Sequence, residues 1–125
     1  MSFDLENFEN CSRQNGVRYW YAHEFMLELG YGTWQSFLSV INKAQASCAR
    51  LEMDTFGEFI PATYADENGY EQRTVKLTRF ACLLVTMHAD ARKPEVAAAK
   101  VALATVANQL IATRLSQNDL GRLET

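Results

Sequence analysis

The chain has 125 residues, of which 48% are hydrophobic and 22% charged, so it is long enough to form one domain with a buried core. This composition excludes a wholly disordered or collagen-like protein, and no apolar stretch reaches the roughly 18 residues that a membrane span requires. The net charge is −3, and the acidic start of the chain lacks the basic and apolar segments of a signal peptide, so we expect a cytoplasmic protein.

Charge is unevenly distributed along the sequence. Residues 1–70 contain four basic and ten acidic residues, for a net charge of −6, whereas residues 71–100 contain six basic and three acidic residues, for a net charge of +3. The acidic total argues against indiscriminate binding to polyanions, but the central segment concentrates positive charge.

The first half of the chain predicts mostly helices. We expect a short helix in residues 1–13, then a turn at Asn15-Gly16 and a short β-branched and aromatic strand in residues 17–21. Residues 22–29 predict a brief helix, which ends at the glycine-containing segment 30–32.

A longer helix is predicted from Thr33, a plausible N-cap, to about Met53, because apolar residues recur there with a period of 3.6. Further on, Asn68-Gly69 lies between the aromatic and β-branched segments 56–64 and 70–76, which predicts a β-hairpin.

Two helices are predicted to complete the domain, the first in residues 77–90 and the second in residues 94–115, where Pro94 occupies the first turn. The predicted fold class is therefore α+β and mostly helical, with a helix-turn-helix-like pair, a hairpin and two packed C-terminal helices. We assign residues 1–115 to a single domain and interpret residues 116–125 as a linker or the cut end of a longer chain.

Neither the cysteines nor any sequence motif predicts a disulfide framework, a metal site or a catalytic site. Cys11, Cys48 and Cys82 are an odd number without C-x-x-C spacing, so we expect reduced thiols, the last two of them buried. No hydrolase, zinc, P-loop or dinucleotide motif is present, and we expect no enzyme activity, no metal and no cofactor. His23 is interpreted as a surface or helix-start residue, and His88 as a histidine of the core.

The two helices around the glycine turn match the layout of a helix-turn-helix motif. In that motif the polar residues near the start of the second helix contact base edges in the major groove. The alternative is a plain helical hairpin with a solvated polar face. The candidate DNA-binding residues of this helix are Thr33, Gln35, Ser36, Ser39, Lys43 and Arg50.

A second candidate surface consists of basic residues in the central segment. Two of them directly precede the helix that Pro94 opens, where free backbone N–H groups and the helix dipole also favour a phosphate. The alternatives are a solvated loop, or pairing with the acidic first half of the chain. The candidate phosphate contacts are Arg73, Lys76, Arg79, Arg92 and Lys93.

The last predicted helix is rich in alanine, which would let another helix approach closely. We therefore expect a homodimer that uses this helix, the alternative being packing on the preceding helix of the same chain.

Several segments resemble the DNA-damage-inducible protein D family, which is related to the Bro-N domain of viral and phage proteins, including phage antirepressors. The first block is YGTWQSF at residues 31–37, followed by VINKA at 40–44 and Cys48. The second is KLTRFACLL at residues 76–84, followed by DARKPEVAAA at 90–99.

The resemblance implies a Bro-N-like domain in a DNA-associated protein of damage response, phage regulation or defence. Its partner would be double- or single-stranded DNA, which is the first hypothesis. The second is a protein-interaction domain that acts as an antirepressor or as a modulator of a recombinase filament, with a repressor or a recombinase as its partner.

Overall fold

The computed structural model of the protein describes residues 3–117. This part of the chain contains six helices and one four-stranded antiparallel sheet, which confirms the predicted α+β class. The helices are α1 (Leu5–Asn10), α2 (Ala22–Glu28), α3 (Trp34–Arg50), α4 (Thr55–Glu58), α5 (Arg79–His88) and α6 (Pro94–Gln117). The strands are β1 (Arg13–Asn15), β2 (Val17–Tyr21), β3 (Phe59–Ala65) and β4 (Glu71–Leu77).

The sheet has the order β1-β2-β4-β3. The predicted hairpin is confirmed as β3 and β4, and its turn is held by Asp66, whose Oδ1 accepts hydrogen bonds from the backbone N–H groups of Asn68 and Tyr70 at 2.9 Å. Gly69 follows with a φ of +81°, a left-handed conformation that glycine adopts without strain.

The core lies on one face of this sheet. Trp20 of β2 and Leu77 of β4 are paired in register and fully buried in a single apolar cluster with Phe37 of α3 and Val85 of α5. The indole Nε1 of Trp20 donates to the carbonyl oxygen of Phe8 at 2.8 Å, so α1 is fixed to the sheet as well.

The glycine turn between α2 and α3 forms as predicted. Gly30 has a φ of +78°, and a Cβ atom there would lie 2.6 Å from the Glu95 carboxyl group, so both backbone conformation and space favour glycine. Thr33 is the N-cap of α3, because its side-chain oxygen accepts from the backbone N–H of Ser36.

The last helix is packed on the domain only through its first turns. Val96 and Ala99 are buried, whereas every residue from Ala104 to Gln117 is exposed. Among the described residues, α6 is also the one helix long and apolar enough to cross a membrane by length and composition, and 11% of its most apolar 18 residues are buried. The prediction that no apolar stretch reaches this length is therefore wrong.

The boundaries of several predicted elements are wrong. The first helix begins at Leu5 and ends at Asn10, and Arg13 belongs to strand β1, which was not predicted. Leu77 lies in β4 and not in the following helix, because it pairs with Trp20 and Phe59 in the buried sheet. Residues 56–58 were predicted as the start of the hairpin, but they belong to the short helix α4 (Thr55–Glu58), and β3 begins at Phe59.

The end of the chain also differs from the prediction. Ser116 and Gln117 continue α6, and the rest of the predicted linker, residues 118–125, lies outside the described residues.

The three thiols are free, and Cys48 and Cys82 are buried as predicted. His88 is half-buried, and its Nε2 forms a hydrogen bond with the Ser47 hydroxyl at 2.8 Å.

Candidate nucleic-acid interface

The predicted contact residues of α3 lie at its N-terminus and along its solvent-exposed side. Gln35, Ser39, Lys43 and Arg50 are exposed, while the opposite side of the helix is buried in the core. The helix contains no acidic residue, so its exposed surface is polar and positively charged. A basic stripe along a helix is one feature of nucleic-acid-binding proteins.

Thr33 and Ser36 have a structural role at the same helix end. Their hydroxyl oxygens lie 2.7 Å apart, and the Ser36 hydroxyl donates to the Thr33 carbonyl oxygen at 2.9 Å. Both side chains are exposed, but their hydrogen bonds are directed towards the helix N-terminus.

Arg92 and Lys93 lie beside the turn that precedes α3. The ammonium group of Lys93 donates to the carbonyl oxygen of Gly30 at 3.3 Å and lies 4.8 Å above the Tyr31 ring. The Tyr31 hydroxyl in turn accepts from the backbone N–H of Asp90 at 2.9 Å. These contacts hold the segment before α6 against the turn that precedes α3, with the half-buried Lys93 at the turn and Arg92 exposed next to it in the sequence.

Arg92 is exposed and is paired with its neighbour Asp90. Its guanidinium Nε and Nη2 lie 2.9–3.1 Å from the carboxylate oxygens of Asp90. The hydrogen bond from Arg92 lowers the pKa of Asp90 to about 2, so the carboxylate stays ionised and offsets part of the arginine charge.

The other predicted phosphate contacts belong to β4 and to the start of α5, and their role stays a prediction. Arg79 donates through Nε and Nη2 to both carboxylate oxygens of Glu9, at 2.6 and 2.8 Å, and is thus paired with an acid from the first half of the chain. These hydrogen bonds lower the pKa of Glu9. Arg73 and Lys76 belong to β4, where Lys76 lies 4.7 Å above the Tyr19 ring.

On the sheet face opposite the core, tyrosines of β2 and β3 form a row of aromatic side chains with His23 of α2, which packs against the buried Thr74 of β4. Ring centroids are separated by 5.4 Å between Tyr19 and Tyr21, by 5.3 Å between Tyr21 and His23, and by 3.6 Å between His23 and Tyr64, which are stacked. Tyr21 and Lys76 are cross-strand partners, so the row and the cation share one face. The alternation of residues 19–21 was the available signal, but it does not reveal that His23 of α2 packs against this face.

A groove of about 630 Å³ lies at one end of this row. Its lining includes Tyr21, His23 and Tyr64 together with Trp34 and Arg73. It therefore connects the aromatic face of the sheet with the first residue of α3.

His23 is held in the groove by the neighbouring strand. Its Nδ1 lies 2.9 Å from the hydroxyl oxygen of Thr74, and its backbone N–H donates to the same oxygen at 3.3 Å. Burial lowers the pKa of His23, so the imidazole is neutral at neutral pH.

Comparison with known proteins connects the chain to one group. It is 30% identical over 88 residues to DNA damage-inducible protein D of Escherichia coli (strain K12), a match that covers 67% of this chain and 32% of the relative. The chain thus spans about a third of the length of that relative. The match supports a relationship and is consistent with a regulatory role in the damage response.

No family model and no solved structure matches the chain. The Bro-N resemblance therefore stays a prediction.

Proposed function

We propose that this chain is a DNA-binding module of a damage-response protein and that it binds rather than catalyses. The observation that carries the proposal is the exposed side of α3, which is polar and carries Lys43 and Arg50 without any acidic residue, while Lys93 is held against the turn before this helix. The relationship to a protein named for its induction by DNA damage supports the same assignment.

Electrostatics set the expected strength of binding. Because the chain carries a net charge of −3, its affinity for arbitrary DNA should be modest and confined to this surface. Phosphates would contact Arg92, Lys93, Lys43 and Arg50, while the exposed Gln35 and its neighbours would contact bases.

The phosphate contacts can be tested by fluorescence anisotropy with a labelled DNA duplex over a series of salt concentrations. Replacing Arg92 and Lys93 together by alanine should weaken binding to all sequences similarly and reduce the slope of log affinity against log salt by about two. Arg114→Ala, at an exposed site in the last turn of α6, is the matched control and should leave the slope unchanged. An unchanged slope in the double variant would contradict the phosphate site.

Base contacts require a separate comparison. Gln35→Ala and Ser39→Ala should change the preference between duplex sequences, by about 1–3 kcal/mol for a good contact, with little change in salt dependence. Equal losses for every sequence would indicate that α3 contacts only the backbone of the DNA.

A protein-interaction domain is the second candidate, and the exposed half of α6 favours it. Leu110 and Ile111 keep 56% and 58% of their surface exposed, a feature of helices that bind a partner. If the Arg92 and Lys93 double variant binds DNA as tightly as the parent chain, an antirepressor or a modulator of a recombinase becomes the favoured function.

A further inference from the structure

We propose that the outer edge of strand β3 is a docking site for an extended segment of a partner protein, which joins the sheet as a fifth strand. The segment carries a lysine or arginine at the end that lies beside the acidic turn of the β3–β4 hairpin. The proposal goes beyond the DNA-binding function proposed above and does not depend on it.

The direction of each backbone group in β3 follows from the hairpin register. The N–H of Asp66 donates to the carbonyl oxygen of Tyr70 at 2.9 Å, so these residues form a hydrogen-bonded pair. In an antiparallel ladder such pairs alternate with pairs whose N–H and C=O groups point away from the partner strand. Because β3 and β4 pair one to one, the outward residues in the body of the strand are Pro61, Thr63 and Ala65.

Two further features of β3 agree with this assignment. Pro61 has no N–H, and it lies at an outward position, where the hairpin requires no donor from it. The N–H of Phe59, which is also outward, donates to the carbonyl oxygen of Thr55 in α4. The outer edge therefore offers the N–H and C=O groups of Thr63 and Ala65 and the carbonyl oxygen of Pro61.

This edge lacks most of the features by which proteins protect a sheet edge. Charged side chains, bulges, short strands or a covering element prevent pairing with another chain. Strand β3 has seven residues with no charge among them, and its pairing with β4 contains no bulge. Pro61, Thr63 and Ala65 are exposed, and no strand within residues 3–117 pairs with them. The opposite edge, β1, is three residues long and contains Arg13.

The charges beside the edge define the chemistry of the added segment. The turn and the start of β4, residues 66–72, contain three acidic residues and no basic one. Asp66 is engaged in the turn, whereas Glu67 and Glu71 are exposed and form no ion pair within residues 3–117. At the other end of the strand, Ile60 pairs with Lys76. Charge complementarity therefore favours a segment that is basic at the turn end only.

An extended polypeptide is the ligand that matches this edge. Its backbone repeats every two residues and presents N–H and C=O groups in the same alternation as β3. Added strands of this kind gain affinity from main-chain hydrogen bonds and specificity from alternate side chains. DNA has no such alternating backbone, and its phosphates would be repelled by Glu67 and Glu71.

The test begins with a phage-displayed library of random decapeptides, selected on the purified chain without DNA. The selected peptides should carry a lysine or arginine near one end, and their affinity is measured by fluorescence polarisation. Thr63→Pro removes the central outward N–H but no hydrogen bond to β4, so it should weaken binding by at least about tenfold. Thr63→Ala keeps the N–H and is the matched control, with the affinity of the parent chain.

Charge is tested by a second pair of variants. Glu71→Lys should weaken binding of the selected peptide, whereas Glu6→Lys, which makes the same change in net charge at an exposed residue of α1, should not. Equal peptide affinity of the parent chain and Thr63→Pro, or a library that yields no binder, overturns the docking edge. Either result leaves the DNA-binding function of α3 intact, because no DNA is present.

Hydrogen exchange of the unchanged chain, followed by NMR, does not depend on the folding of variants. Without peptide, the amides of Thr63 and Ala65 should exchange faster than those of Ala62 and Tyr64, which donate to β4. The selected peptide should slow exchange at Thr63 and Ala65 on the order of tenfold, and unchanged rates at both overturn the site. Self-association that Thr63→Pro abolishes, measured by light scattering without peptide, would assign the edge to a second copy and overturn the assignment to a partner protein.

Discussion

The side chain of Glu28 in α2 is an unusual polar group in this fold. Its Oε2 is buried without a hydrogen-bond partner, while its Oε1 accepts from the Asn7 amide at 3.4 Å. Burial raises the pKa of Glu28 in the folded chain, which favours the protonated form. The protonated carboxyl stabilises the folded chain fully at pH values below the pKa that Glu28 has in the unfolded chain. This contribution is lost as the pH rises through the pKa that Glu28 has in the folded chain.

We therefore expect Glu28→Gln to raise the free energy of unfolding at neutral pH by about 1 kcal/mol, because the carboxyl is only partly buried and the amide carries no charge. The gain should shrink towards about pH 4, where the carboxyl is protonated in the parent chain too. Urea unfolding at both pH values checks this, with Glu67→Gln in the exposed turn as the control. A variant that is less stable than the parent at both pH values would show that the carboxylate is favourable here.

Thr33 illustrates how a predicted contact residue can act within the fold. Its hydroxyl oxygen accepts the backbone N–H of Ser36 at 3.3 Å and caps α3. Thr33→Ala should therefore reduce the free energy of unfolding by about 1 kcal/mol, whereas Thr33→Ser should keep the cap. Gln35→Ala changes an exposed side chain of the first turn that makes no cap hydrogen bond, so it should stay within about 0.5 kcal/mol of the parent. Chemical denaturation of the three variants is the measurement, and equal effects at the two positions would contradict the capping role.

At the scale of elements, the helices and turns that depend on a short stretch of sequence were predicted correctly. The α3 stripe of apolar residues, the Thr33 cap, the turn at Gly30 and the Asn68-Gly69 hairpin are each encoded within one short segment, and each formed. Strand β1 was missed because it contains no apolar residue and exists only through pairing with β2. Leu77 was misassigned because a buried strand end and a helix start have the same local apolar pattern.

The candidate site was only partly predictable, because some of its contacts join residues that are far apart in the sequence. The exposed side of α3 follows from its own periodicity, and it formed as predicted. The partner of Arg79 is Glu9, seventy positions earlier in the chain, and only the tertiary fold brings them together. The aromatic row likewise needs the pairing of β2 with β4 and the position of α2, which no local pattern specifies.

Helix α6 offers a matched pair of valines on one stripe. Val96 is fully buried and Val106 is 42% exposed, although both follow the same three-four spacing. Val96→Ala should lower the free energy of unfolding by roughly 2 kcal/mol, since it removes buried methyl groups and leaves a cavity. Val106→Ala should change the free energy of unfolding by less than about 0.5 kcal/mol in dilute solution. Urea unfolding at low protein concentration tests the contrast, and a similar cost at both positions would mean that the distal half of α6 packs on the domain.

At the scale of the whole molecule, two helix surfaces face outward with different chemistry. The exposed side of α3 is polar and positively charged, and the distal half of α6 is apolar. The net charge of −3 does not prevent a local positive surface, because α3 contains Lys43 and Arg50 and no acidic residue. The distal half of α6 is an apolar surface that nothing in the described residues 3–117 covers.

We predict that this half of α6 pairs with the same helix of a second chain. The stripe that begins with the buried Val96 and Ala99 continues through Val106 and Leu110 into solvent, and no charged residue occurs between Lys100 and Arg114 to oppose pairing. Small alanine side chains on the same helix allow its backbone to approach a partner closely.

Static light scattering should give twice the chain mass of 14.2 kDa, and Leu110→Glu should return the chain to a monomer because it buries a charge in the pair. Asn108→Glu, on the other side of the helix, is the control and should leave the dimer intact. The parent chain as a monomer at high concentration would contradict the pairing. Cosedimentation of the parent chain with lipid vesicles, abolished by Leu110→Glu, would instead assign α6 to a membrane, for which its length and composition suffice.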